Sequence, residues 1–242
     1  MAVTKFPTEV VTLPSKGVLY PKDSLLAKGE IEMKYMTAKE EDILTNQTYI
    51  EKGIVIDKLI QSLIVSDINY DDILIGDKNG IMLAARILSY GKEYSFSYNG
   101  EEHTVDLTDY KEKELHPEVE KGVNNFHYTL PHTKIPITFK LLTHKDERNI
   151  EQELRSLKRI KSNENFLLTT RLKHMITSVG DSDDPKTIRE FVDKELLAMD
   201  ARSLRKYIKE ITPDMDLFFF TETSDKAISL PITLQFFYPD VE

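Results

Sequence analysis

The sequence contains no cysteine and no tryptophan. Without thiols there is no disulfide framework, no cysteine nucleophile and no thiolate ligand for zinc. Glycine is scarce, and the one glycine-rich spacing, Gly76-Asp-Lys-Asn-Gly80, lacks the Lys and Ser/Thr that complete a phosphate-binding loop. No Gly-x-Ser-x-Gly nucleophile elbow is present either. No run approaches the roughly 18 apolar residues of a membrane span. The opening MAVTKFPTEV has neither the apolar core nor the small-residue cleavage site of a secretory signal, so an intracellular chain without a membrane partner is expected. Positive charge is in deficit: 32 Lys+Arg face 41 Asp+Glu, a net charge of −9. Bulk electrostatics therefore give no grip on nucleic acid. What is left is 40% hydrophobic and 30% charged residues, the balance of a folded chain with enough length for one large domain or two ordinary ones.

The strongest internal signal is self-similarity. IEMKYMTAKEEDIL (31–44) aligns with ITFKLLTHKDERNI (137–150). Each segment reads as a short alternating strand running into a threonine, Thr37 or Thr143, with an acid three residues on, Glu40 or Asp146. That spacing is a capping box, in which hydroxyl and carboxylate satisfy the free N–H groups of a first helical turn. Further on, LIGDKNGIMLAARIL (74–88) parallels LAMDARSLRKYIKEI (197–211), with Asp77 and Asp200 as candidate N-caps. Ile81, Ala84, Ala85 and Leu88 match Leu204, Tyr207, Ile208 and Ile211, both on the i, i+3, i+4, i+7 spacing of an amphipathic helix.

Both helices lead into hairpin-like stretches. YSFSYNGEEHTVDL (94–107) turns at Asn99-Gly100, and LFFFTETSDKAISL (217–230) has the same strand–polar–strand layout. TLPSKG (12–17) and TLPHTK (129–134) open the two copies. The spacing between matched segments changes along the chain, so the first copy gains eleven residues early and the second gains seventeen later, the room of an extra helix. A helix starting at Pro185 after Asp184 puts proline where its missing N–H does no harm. In the second copy Ile150, Leu154, Leu157 and Ile160 form one stripe, and Leu168, Leu172, Met175 and Val179 the next.

The expected fold is α+β: two related strand–helices–β-hairpin units with an extended N-terminal arm. Residues 1–30, with Pro7, Pro14, Gly17 and Pro21, form the arm; 31–108 the first unit; the polar stretch 109–136 a linker; and 137–242 the second unit.

Chemistry-bearing side chains do not converge in the sequence. His103, His116, His127 and His132 fall close together but match no compact ligand spacing, and no metal or cofactor is expected. His144 and His174 sit on helices. Asp71, Asp72 and Asp77 are the one acidic group that a metal-dependent hydrolase or nuclease could use, though they lack the alternating calcium-loop pattern. Asp181, Asp183 and Asp184 read as a solvated loop. The basic run Arg155, Lys158, Arg159 and Lys161, with Arg171 and Lys173 beyond, is preceded by acids, and Glu151–Arg155 is an i, i+4 pair, so the helix face neutralises itself. No catalytic residue is assigned. At the C-terminus Leu217 to Phe220 are consecutive, and Ile228, Leu230, Ile232, Leu234 and Phe236 alternate. That pattern is a strand buried on both faces or a docking edge for a partner protein.

Three stretches in order, LPSKGVLYP, YMTAKEEDILTN with IDKLIQSLI, and PDMDLFFF…LPITLQFFYP, resemble the baseplate hub and tail-assembly proteins of T-even-type contractile-tailed phages. The resemblance spans nearly the whole chain. Many members carry cysteine pairs at the hairpin tips, suggesting zinc knuckles; the tips here, YNGEEH and TETSDK, have none, so no metal carries over. The resemblance implies a non-enzymatic viral late protein, present in the host bacterial cytoplasm during assembly or in the virion tail baseplate. It would act by protein–protein binding, as a hub assembly factor or tape-measure chaperone, with a permanent structural hub subunit as the alternative. Its partners would be hub subunits and the tape-measure protein. The contact residues it suggests are Leu13, Pro14, Ser15, Lys16, Gly17 and Tyr20 in the arm, and Phe218, Phe220, Phe236, Phe237 and Tyr238 at the C-terminus.

Overall fold

A computed structural model of the chain describes residues 7–119, 121–160, 165–221 and 224–238. The fold is α+β, with short antiparallel sheets of two or three strands separated by helices. The first half runs β1 (Thr8–Thr12), β2 (Glu30–Lys34), α1 (Ala38–Leu44), α2 (Gln47–Lys52), α3 (Val55–Leu63), α4 (Ile75–Tyr90) and the hairpin β3 (Glu93–Tyr98) with β4 (Glu101–Asp106). The second half runs β5 (Phe126–Thr129), β6 (Pro136–Phe139), α5 (His144–Ile160), α6 (Leu167–Met175), β7 (Ile176–Val179), α7 (Pro185–Lys194) and α8 (Ala198–Ile211). It closes with the hairpin β8 (Phe218–Thr221), β9 (Ser224–Ser229) and a last turn, α9 (Leu234–Phe237). None of the described helices is long and apolar enough to cross a membrane.

Equivalent residues of the two halves make equivalent bonds. Thr37 donates its hydroxyl to Glu40 at 2.6 Å and its N–H at 3.0 Å, and Thr143 does the same to Asp146 at 3.0 and 3.1 Å. Lys34 clamps Glu40 at 2.7 Å, and Lys140 clamps Asp146 at 2.7 Å. Met33 bridges Ile64 after α3, just as Phe139 pairs with Ile176 after α6. Asp77 and Asp200 are not N-caps; Leu74 and Leu197 hold those positions. One turn inside their helices, the two carboxylates reach back to pin the Leu-Pro turns. Asp77 accepts from the Ser15 N–H and hydroxyl, both at 2.7 Å, and Asp200 from the N–H groups of His132 and Thr133 at 2.8 and 3.1 Å. Burial pushes the Asp77 carboxyl above its ordinary range despite these donors. At Asp200 burial also pushes upward, but the donors outweigh it and leave the group below the usual range.

The unit boundaries shift as a result. Residues 8–30 are not a separate arm: β1 pairs with β2 from Thr8↔Lys34 to Thr12↔Glu30, and Leu13, Leu19, Tyr20 and Leu26 are core. Gly17 and Gly29, both at positive φ, let the two legs of this loop touch; a Cβ on either would sit 2.5 Å from the other's backbone neighbourhood. Likewise the polar linker ends before β5, which pairs with β6 and buries Phe126 and Leu130. The second half is longer in two places. Its α5 is continuous where the first copy breaks into α1 and α2 at Asn46, whose side chain caps α2, and α7 stands where the first copy has a 3-10 turn, Tyr70–Asp72. Val179 belongs to β7 and not to the helical stripe.

The alternation read from Ile228 to Phe236 breaks at Pro231, which offers no N–H to a ladder. The chain leaves β9 at Ser229 and turns into α9 instead. Lys161, Glu222, Thr223 and Pro239 lie outside the described residues.

Candidate functional site

The two halves share one apolar core. Their seam is a short backbone ladder, Ile75 N–H to Leu142 C=O at 3.1 Å and His144 N–H to Ile73 C=O at 2.8 Å. Gly76 sits where α4 meets the loop after α8; a Cβ there would lie 1.8 Å from the Pro213 carbonyl oxygen. Beside the seam is a polar cluster. Asp57 forms an ion pair with Lys78 and accepts from the Tyr70 hydroxyl at 3.0 Å, while the His144 ring lies 3.5 Å from the Lys78 amine. Burial, and then the Asp57 charge, push the Tyr70 hydroxyl up; burial pulls His144 down, toward the neutral ring. Lysine and carboxylate neutralise each other here, so the cluster acts as a pin across the seam.

The segment following each hairpin crosses to the opposite half, and this decides which surfaces are covered. After β4, Lys113 donates its N–H to Asp214 and Lys111 accepts from Asp216, a short ladder onto the second half. After β9, the run through Pro231 to Phe237 lies on the first half. Tyr94 donates to the Pro231 carbonyl at 2.8 Å, its ring meets Phe236 edge-on at 4.8 Å, and α9 packs on α4. The two hairpins also meet, with Phe219 between Phe96 and Tyr98 at 4.8 and 5.3 Å.

On the second half none of the described residues covers the corresponding surface. Between α6 and α8 lies a groove of about 780 Å3. Leu168, Leu172, Met175, Ile208 and Met215 line it, with Leu167 and Leu168 respectively 45% and 41% exposed. Arg171, Arg205, Lys209 and Lys113 also border it. Arg171 pairs with Glu147 at 2.6 Å, and the Arg205 Nε–H goes to the Ala201 carbonyl at 3.1 Å. Lys209 stands 5.9 Å from the centroid of the Phe218 ring. The carboxylate on this lining, Asp214, is turned to Asn79 at 2.8 Å.

The contact residues suggested by the resemblance scatter between core and surface. Leu13, Ser15, Tyr20, Phe236 and Phe237 are buried, as are Pro14 and Gly17, so in this conformation they hold the fold and present nothing to a partner. Lys16 is exposed and pairs with Glu112. Phe218 and Tyr238 are half-buried, and Phe218 alone of the set borders the groove; Phe220 is 63% exposed on β8. Asp71, Asp72 and Asp77 do not converge. Asp71 takes Arg148 at 2.8 Å, Asp72 takes Asn69 at 3.0 Å, and Asp77 is sealed against Ser15 and Tyr20. Among the described residues no three His, Cys, Asp or Glu side chains come together as a metal site. In the basic run Arg155 pairs with Glu151 at 3.5 Å, Arg171 with Glu147 at 2.6 Å and Lys173 with Asp193 at 2.7 Å.

The groove residues escaped the sequence reading because their helical stripes look like ordinary core. One signal was there: Arg205 and Lys209 are like charges at i, i+4, which a helix disfavours unless a partner of opposite sign is close. Compared with protein-family models, with curated proteins and with solved structures, the chain matches none.

Proposed function

We propose that this chain is a bacteriophage tail baseplate hub assembly protein, non-enzymatic, acting by binding other tail proteins. The observation that carries the binding reading is the groove between α6 and α8, a concavity of about 780 Å3 lined mainly by apolar side chains with a few polar groups, the usual form of a binding site. The tail assignment rests on the ordered resemblance of LPSKGVLYP, YMTAKEEDILTN and LPITLQFFYP to hub and tail-assembly proteins. Its polar clusters support binding over catalysis, because each carboxylate considered for chemistry is engaged with a donor of the fold.

The test is quantitative mass spectrometry of purified mature tails beside an assembly intermediate. Peptides of this chain in the intermediate that vanish from the mature tail fit an assembly factor. Stoichiometric peptides in the mature tail make it a permanent hub subunit. Absence from both overturns the tail reading.

A further inference from the structure

We propose that the α6–α8 groove binds a partner segment that is amphipathic, with large apolar or aromatic side chains flanked by aspartate and glutamate. This rests on the binding function proposed above and names the chemistry of what is bound. The first half shows how such a face is filled. There the matching surface, between α3 and α4, is partly occupied by the chain's own apolar C-terminal run: α9 packs on α4 with Phe236 fully buried, and Leu230 and Ile232 edge a cleft of about 400 Å3 with Ile56 and Met82. In the second half the crossing segment is Lys111-Glu112-Lys113, too polar to fill an apolar groove. The groove thus matches a face that apolar residues partly occupy, while the segment that crosses beside it is polar and of mixed charge.

The helix positions change in the same direction. Aligning α3 with α6 through the matched bridges of Ile64 and Ile176 sets Leu59 opposite Arg171. The α4–α8 match sets Met82 opposite Arg205 and Arg86 opposite Lys209. Arg86 is buried and spends its guanidinium on the carbonyls of Gly91 and Glu93 at 3.0 and 2.9 Å, whereas Lys209 is exposed. On a chain with a net charge of −9, the groove is bordered by Arg171, Arg205, Lys209 and Lys113, of which Arg171 is paired with Glu147. An apolar floor selects apolar side chains, and such a border selects acidic flanks and repels basic ones.

The experiment uses the full chain and three fluorescein-labelled synthetic helical peptides, read by fluorescence anisotropy. One has a Leu/Phe stripe with Glu flanks, the second keeps the stripe with Lys flanks, and the third keeps the Glu flanks with Ser in the stripe. The first should bind at least about tenfold more tightly than either of the others. The double variant Arg205→Glu/Lys209→Glu should weaken the first peptide by about tenfold or more, as should Leu168→Asp. Met199→Ser, on an exposed side chain outside the groove, should leave binding unchanged. All four substituted positions are exposed, so unchanged circular dichroism and melting are expected in every variant. Equal affinity for Glu and Lys flanks, full binding in the groove variants, no binding of any peptide, or a doubled mass showing that a second copy seals the groove would each overturn the proposal. The mass spectrometry of tails judges the assembly role independently. A chain present in tails yet blind to these peptides overturns the groove proposal alone, while one that binds them through the groove yet is absent from tails overturns the tail reading alone.

Discussion

The α3–α4 face of the first half and the α6–α8 face of the second are built on matching helices and differ in how far apolar residues occupy them. In the first, Leu59 is fully buried and α9 brings Phe236 and Phe237 into the core beside α4, while Ile56 and Met82 stay half-buried beside a cleft of about 400 Å3. The second stays open, with Arg171 and Arg205 where the first has Leu59 and Met82. Matching helices thus carry a partly covered face in one place and, among the described residues, an uncovered groove in the other. The difference lies in a few side chains and in what the crossing segment carries. On the proposed reading, the groove of the second half is the place where a partner binds.

Truncation should separate the two faces most sharply. Phe236→Ala removes a fully buried ring and should cost about 3–5 kcal/mol in chemical denaturation, whereas Leu168→Ala on the open face should stay within about 1 kcal/mol. Equal costs would mean that the groove is closed in solution. The pins of the Leu-Pro turns come next. Asp77→Ala strands the Ser15 N–H, the Ser15 hydroxyl and the Tyr20 hydroxyl in the core, and should cost about 2–4 kcal/mol by the same measurement. An effect under 1 kcal/mol, on the order expected for a surface change, would show that the first thirty residues are a loose arm after all.

A smaller effect is expected at the seam. Gly76→Ala drives a Cβ into the Pro213 carbonyl and should cost about 1–3 kcal/mol, while Met199→Ala, at the matching position on α8, should change melting very little. The smallest effect is the pH dependence that Glu153 contributes from the second half. Hydrogen bonds from Arg189, opposed by burial and aided by His174, draw Glu153 down to about 2 from an ordinary value of 4.5. Its folded value lies below its unfolded one, so its contribution is complete above about 4.5 and is lost as the pH falls from there through about 2. Glu153→Gln should flatten that part of the stability–pH curve, and an unchanged curve would remove Glu153 from the account.

Local chemistry was legible in the sequence. Thr37 with Glu40, Thr143 with Asp146, Asn99-Gly100 and Asp184-Pro185 each encode their geometry within a few residues, and each takes it. Non-local pairing was not. β1 and β5 look polar and extended because what makes them strands is a partner beyond an intervening loop, so residues 8–12 read as arm and 126–129 as linker. Phe236 and Phe237 resembled a docking edge because the alternation ran on past Pro231; only the fold shows that they already occupy a site, on α4. The groove was hidden for the converse reason. The stripes of α6 and α8 have core spacing, and exposure follows from the absence of an apolar cover, which no helix encodes by itself.

The central claim, that the open face engages a tail protein while its covered counterpart does not, is tested most directly by photo-cross-linking in infected cells. A benzophenone amino acid is placed at position 168 in one chain and at the matching position 56 in another. The account predicts a covalent adduct to a tail or hub protein from position 168 and at most internal cross-links from position 56. Adducts of equal yield from both positions, or none from position 168 in cells that assemble tails, would contradict it.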